Sequence, residues 1–297
     1  MTVELAVQQL INALGLGSIY ALMALGLAIV FSILGLLNFA YGELLAVTSY
    51  TMFLLIKEQV PFAVAAIPGV AAAIITSLVI ERVAFRPLRG APFLTILFSS
   101  FAMAIIFQNL FRQVISKRPE VVRIPQVLDS VLKIGPFQFG VLPVLTFAVG
   151  FMTLIILVLF VQKSNWGLTM RAAAEDFQVT RLMGVRANRV IALAFAVSGF
   201  IGGIAGVLWL ARRGAVNPTM GFVPVLKAFI AVVLGGLGSL RGAVLGGFVL
   251  AFMEVCLMVL LPTRVQPFTD VFGLAAVVII LYFKPGGLIT TRAEVKE

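Results

Sequence analysis

A chain of 297 residues with 61% hydrophobic and only 11% charged residues lies far from soluble proteins, in which about 25% of residues are charged. It is the composition of an integral membrane protein with no soluble domain left over, expected as a single transmembrane domain over residues 1–297. No His and one Cys are present, which excludes disulfides, the usual zinc sites and His-based triads; the net charge of +10 points to membrane lipid or an acidic partner, not to nucleic acid.

A spanning helix needs about 20 mostly apolar residues, and the first run of that kind is Ile11–Leu37. No basic segment precedes it and no small-residue cleavage pattern follows, so it reads as a retained span rather than a signal peptide. Phe39–Ile56 comes next, after a tight turn at Leu37–Asn38. Asn38 can cap the second helix, and the amides of Phe39, Ala40 and Tyr41 suit an anionic group such as a substrate carboxylate. Glu43 lies one turn further in, where a carboxylate must face the bundle interior, a wet cavity or a partner subunit. Asn38, Tyr41, Gly42 and Glu43 are therefore candidate positions on a solute pathway.

The spans Phe62–Ile80 and Phe93–Phe111 flank a loop with Arg82, Arg86 and Arg89. Gln108, Asn109 and, further on, Lys227 read as packing bonds or interfacial snorkelling. After the span Val141–Val161 comes the polar loop 166–189. Its residues Arg171–Met183 have helix-forming composition, Gly184 can end that helix, and Asn188 can cap the next span. On a helical projection Val179, Leu182 and Met183 share one side, and Phe177 lies on the other beside Ala173 and Ala174. An interfacial helix would have one apolar face; a helix apolar on two sides fits the bundle on one and the groove of a partner protein on the other.

Val190–Leu210, Phe222–Leu240, Ala243–Leu261 and the short Phe268–Phe283 complete the apolar runs, which gives eight or nine crossings. Small residues every fourth position, at Ser198, Gly202 and Gly206 and at Gly238, Gly242 and Gly246, let helix backbones approach closely in lipid. Glu254 sits near the centre of its span, either on the solute pathway or as a structural acid bonded between helices. Leu34, Gly35, Leu37, Gly42 and Leu45 recur as Leu234, Gly235, Leu237, Gly242 and Leu245, an echo of the parallel repeats of transporters, whose sites lie where repeats meet. Gly235 and Gly236 join the candidate pathway on that basis. Placing loop 166–189 in the cytoplasm puts Arg82, Arg86, Arg89, Lys284, Arg292 and Lys296 on the same side, with the N-terminus outside.

Four segments then carry a resemblance: "LGLGSIYALMALGLAIVFSILGLLNFAYGELLAVTSY", "MRAAAEDFQVTRLMGV", "AFIAVVLGGLGSLRGAVLGGFVLAFMEV" and "YFKPGGLI". In order and spacing the chain resembles, over nearly its whole length, the permease subunits of branched-chain amino acid ABC importers, the LivH type. The resemblance implies an all-α polytopic bundle in the bacterial inner membrane, a permease that is not itself an enzyme. Its implied partners are a second related permease, two ATP-binding subunits that hold the ATP and Mg, and a periplasmic substrate-binding protein; no cofactor is expected in this chain. It also implies that Ala173, Ala174, Glu175, Asp176 and Gly184, with Phe177 and Leu182 among them, form the coupling segment contacted by an ATPase. "AAAED" stands there in place of the importer motif's opening Glu-Ala-Ala. No GxxxxGK[ST] loop occurs in the chain, so ATP hydrolysis falls to another subunit.

The cargo stays open, because members of this group serve branched-chain and other amino acids, urea, short amides and organic acids. Three other readings compete: a self-sufficient secondary transporter coupling ions through Glu43 or Glu254, an intramembrane enzyme using those acids, which no nucleophile or metal cluster accompanies, and a purely structural scaffold.

Overall fold

The computed structural model describes residues 3–134 and 137–289; Arg292 and Lys296, counted among the cytoplasmic charges, lie outside the described residues. All nine apolar runs are helical. In chain order the helices are α1 (Val3–Leu34), α2 (Tyr41–Lys57), α3 (Phe62–Ile80, prolonged by a π turn at Glu81–Phe85), α4 (Phe93–Val114) and α5 (Val141–Lys163). Then follow α6 (Asn165–Glu175), α7 (Phe177–Leu182), α8 (Ala187–Arg213), α9 (Phe222–Gly235), α10 (Leu240–Leu260) and α11 (Thr269–Phe283). Among the described residues six helices are long and apolar enough to cross a membrane, and α9 and α11 are shorter apolar helices. At 1.5 Å per residue α2 is only about 25 Å long, less than the roughly 30 Å of hydrocarbon.

Two short antiparallel ladders lie between the helices. One pairs β1 (Glu120–Val121) with β4 (Ala215–Val216), and the other pairs β2 (Val131–Ile134) with β3 (Phe137–Gly140). Ladders of two and four residues are too short to leave a periodic signal in the sequence.

The chain forms two compact units, each drawn from separate stretches: Met1–Ala28, Ile124–Phe151 and Lys227–Glu297 in the first, Ile29–Arg123 and Met152–Leu226 in the second. In the second unit α2, α3 and α8 pack against one another, and α2 also meets α4. Glycines set these distances. A Cβ on Gly202 would press on Leu44 and Tyr41 of α2, and one on Gly206 would press on Thr48 and Leu45. Gly199 and Gly203, one residue further round α8, meet Ser77, Ile74 and Val70 of α3 instead. The row Ser198, Gly202, Gly206 is thus half of a two-sided device. Hydroxyls close the same contacts: Ser77 donates to the Phe195 carbonyl at 2.6 Å, Thr48 to Gly69 at 3.3 Å and Ser49 to Gly206 at 3.4 Å.

In the first unit Gly242 and Gly246 of α10 lie against Gly235 and Ala231 of α9, and Gly247 lies against Ala21 of α1. Gly238 does not belong to that row. It sits at φ 86° in the turn before α10, with Gly236 at φ 108°, so α9 ends at Gly235 rather than running to Leu240. Ser239 caps α10 by accepting from the Gly242 amide at 3.0 Å.

Three local expectations are corrected. The helix expected over Arg171–Met183 is two helices, because Asp176 adopts extended φ/ψ of −151° and 106° and its carboxylate accepts from the Val179 amide at 2.9 Å. α6 moreover starts early, at Asn165, with Ser164 as its cap. Asn188 does not cap α8, which begins at Ala187 after an uncapped Arg186; the Asn188 side-chain oxygen accepts from Arg89 instead.

Candidate functional site

Within the second unit, helix-to-helix contacts fix the depth at which α2 begins. Phe39, just before it, stacks on Phe101 of α4 with centroids 4.3 Å apart, and its amide donates to Ser100 Oγ at 3.2 Å. Tyr41 and Leu44 meet Gly202, midway along α8. Further along, Glu43 pairs with Gln108, and Tyr50 stacks on Phe111 with centroids 4.5 Å apart. α2 therefore runs beside the second half of α4 and starts level with the centres of its neighbours, inside the membrane. Discontinuous helices of this kind place backbone ends and polar side chains at the depth where transporters hold their solutes.

That start is densely polar and closed. Asn38, Tyr41 and Glu43 are all buried. Gln108 Nε2 donates to Glu43 Oε1 at 2.8 Å, while Glu43 Oε2, Asn38 Oδ1 and the Tyr41 hydroxyl have no hydrogen-bond partner among the described residues. Leaving such an atom buried and unpaired costs about 1–3 kcal/mol, and three occur within six residues. Asn38 is not the expected cap. The residue preceding α2 is Ala40, without a side-chain bond, and it is the Asn38 backbone carbonyl that accepts from the Tyr41 amide at 3.2 Å. Of the three amides expected to face an anion, those of Phe39 and Tyr41 are thus engaged within the chain. Gly42 has no room for a side chain, since a Cβ there would overlap the Gly221 carbonyl and lie 2.9 Å from Val225 Cβ.

The first unit treats its acid differently. Lys227 Nζ of α9 lies 2.7 Å from Glu254 Oε1, 3.0 Å from Asp270 Oδ1 and 3.0 Å from the Tyr20 hydroxyl. Tyr20 in turn donates to Glu254 Oε2 at 3.0 Å. Both oxygens of Glu254 are engaged, so it is bonded between helices, and Lys227 forms the centre of a cluster joining α1, α9, α10 and α11. Tyr20 and Asp270 were missed in the sequence; an acid in the first turn of an apolar helix was the one available signal for Asp270. Gly235 and Gly236 pack against backbone: Gly235 against Gly242, and Gly236 against Gly286 and Ile289. The Leu234 and Gly235 carbonyls accept from the Leu288 and Ile289 amides at 2.8 and 3.0 Å.

The polar segment 165–189 presents an apolar surface with no cover. Ala173 and Thr180 are buried and Phe177 is half-buried, whereas Leu182 is 86% and Met183 80% exposed, with Val179 beside them at 52%. Ala174, Glu175 and Asp176 are exposed as well, and Gly184, at φ 85°, lies in the turn that ends α7, as expected. Among the described residues this is where a helix too short to stand alone carries large apolar side chains outside the apolar spans.

Comparison with known proteins agrees with this architecture. The family model described as branched-chain amino acid transport system / permease component matches residues 9–281. The chain is 36% identical over 309 residues to the high-affinity branched-chain amino acid transport system permease protein BraD of Pseudomonas aeruginosa, covering 98% of this chain and 97% of that one. It is 34% identical over 304 residues, with the same coverage, to the corresponding permease protein LivH of Escherichia coli K12. No solved structure matches the chain.

Proposed function

We propose, from the premise that this chain belongs to the branched-chain amino acid transport permease family, that it carries leucine, isoleucine and valine inward across the bacterial inner membrane. It works as one of two related permeases, fed by a periplasmic binding protein and driven by two partner subunits that bind and hydrolyse ATP with Mg. The observation that carries the reading is the uncovered apolar patch of Val179, Leu182 and Met183, which needs a protein partner at the membrane surface.

The start of α2 supplies the chemistry for a zwitterion. Glu43 Oε2 and Asn38 Oδ1 are acceptors suited to an ammonium group, and the Tyr41 hydroxyl is a donor suited to a carboxylate. The aliphatic side chain then faces surroundings built from leucine, valine and glycine. The site is closed in this structure, so solute reaches it only when α2 and its neighbours separate. Movement of α6 and α7 with the ATPases is the input for that step. Glu254, with both oxygens bonded, holds its unit together as α9, α10 and α11 move.

Uptake of labelled leucine, isoleucine and valine, with urea and short amides for comparison, tests the proposal in vesicles containing the chain and its partner subunits, with and without ATP. ATP-dependent uptake of the three amino acids that disappears in Leu182→Asp with Val179→Asp is the expected result. Uptake by this chain alone, driven by a proton gradient and indifferent to ATP, overturns it. ATP-dependent uptake of urea or amides in place of the amino acids keeps the machine and replaces the cargo.

A further inference from the structure

We propose that the arginine-lined cavity between α7, the start of α8 and the α3–α4 loop is a binding site for the phosphate headgroup of an anionic membrane phospholipid. The cavity has a volume of about 870 Å³ and lies wholly within the second unit. Arg181 reaches it from α7, Arg186 and Arg189 from the beginning of α8, and Arg89 from the loop before α4. Of these four, only Arg89 has a carboxylate among the described residues, that of Glu81, and its Nε is nonetheless buried without a partner there. Arg181, Arg186 and Arg189 have no ion-pair partner among the described residues, and all three are exposed. Guanidinium groups gathered around one hollow repel one another, and a bound phosphate relieves that repulsion while accepting forked hydrogen bonds from several of them.

The cavity's position argues that the phosphate arrives attached to hydrocarbon. Its inner wall is apolar, with Ile191 buried and Phe177 and Val185 half-buried. Immediately after the loop that holds Arg89 and Gly90, α4 exposes Phe93, Leu94 and Phe98, an apolar face along which acyl chains can run. Basic pockets at the cytoplasmic ends of membrane helices attract anionic lipids in this way. The exposed Leu182 and Met183 are not among the cavity's lining, so a lipid in the cavity and a protein on α7 do not compete for them. A bound headgroup would tie α7 to α8 and to the α3–α4 loop, fixing the height of the apolar patch above the membrane. The cavity and its arginines are independent of the cargo, and only their cytoplasmic side rests on the proposed function.

Native mass spectrometry of the full chain, purified with its partner subunits from mixed phosphatidylglycerol and phosphatidylcholine nanodiscs, tests it. Phosphatidylglycerol should be retained over phosphatidylcholine, and Arg181→Gln with Arg186→Gln and Arg189→Gln should lower that retention about tenfold or more. An equal loss of charge from Arg82, Lys163 and Lys284 should leave retention in place. Unchanged retention in the triple Gln variant overturns the site, as does displacement of the lipid by glycerol 3-phosphate or inorganic phosphate, which would assign the cavity to a soluble anion. Unchanged retention together with loss of the ATPase from the complex would give the arginines to an acidic protein surface, and also overturns it. Should the triple set fail to assemble, the single variants Arg181→Gln and Arg189→Gln each remove one phosphate donor; weakened retention in either supports the site and undiminished retention in both overturns it.

Discussion

Glu43 and Glu254 pose the same question, a carboxylate within an apolar helix, and the two units of the molecule answer it in opposite ways. Around Glu254 every charge is met: Lys227 and Tyr20 take both oxygens, and Asp270, 63% exposed, shares the lysine. Around Glu43 one oxygen is bonded to Gln108, and the other stands unpaired beside two more orphaned polar atoms, on Asn38 and Tyr41. A saturated cluster does its work by holding helices together, and an unsaturated one retains hydrogen bonds to offer a solute. An acid in a membrane helix is thus read by its partners and not by its depth alone.

Lys227→Met should give the largest effect, because it leaves Glu254 buried without its counter-charge; breaking a buried pair costs about 3–5 kcal/mol. Thermal unfolding in detergent should show it, and Lys227→Met with Glu254→Met should recover most of the loss. If the double variant is no better than the single, the cluster does not hold α1, α9, α10 and α11 together.

Gly42→Val should come next, since added volume in a closed contact costs about 1–3 kcal/mol and here it meets the Gly221 backbone. Both the unfolding temperature and uptake should fall, whereas Gly35→Ala, where no atom lies within 4 Å of a Cβ but φ is 65°, should cost about 1–2 kcal/mol through backbone strain alone and leave uptake largely in place.

Glu43→Gln sharpens the contrast most. It retains a partner for Gln108, so stability should move by less than about 1 kcal/mol. Uptake should drop about tenfold or more through loss of a charged hydrogen bond to the solute. A variant that unfolds early yet transports normally would place Glu43 with Glu254 among the structural acids. Ser100→Ala should be the mildest change, removing the bond from the Phe39 amide at a cost of about 0.5–1.5 kcal/mol, readable as a small shift in unfolding temperature with uptake largely kept.

Much of this was legible in the chain. Nine apolar runs became nine helices, because backbone amides in hydrocarbon must be satisfied within the segment and a long apolar run leaves helix as the way to do so. Small residues in rows marked helix contacts, and the apolar residues of loop 166–189 marked a surface in need of cover. Boundaries were less legible. Asn38 reads as a cap by residue type, yet α2 starts three residues later, and the break at Asp176 interrupts a stretch whose helix propensity is continuous. Local preferences of a few tenths of a kcal/mol per residue yield there to packing against neighbouring helices.

The sequence by itself determined that this protein crosses the membrane many times, which stretches do so, and to which transport family it belongs, since composition and order along the chain carry those facts. Only the tertiary structure decided that α2 begins at mid-depth, that Lys227 completes Glu254 while Glu43 stays half-paired, and that three unmatched arginines surround one cavity. The reason is distance: Lys227 and Glu254 stand 27 positions apart, Tyr20 and Glu254 stand 234 apart, and a hydrogen bond or ion pair exists only once folding has brought its two ends within about 3 Å.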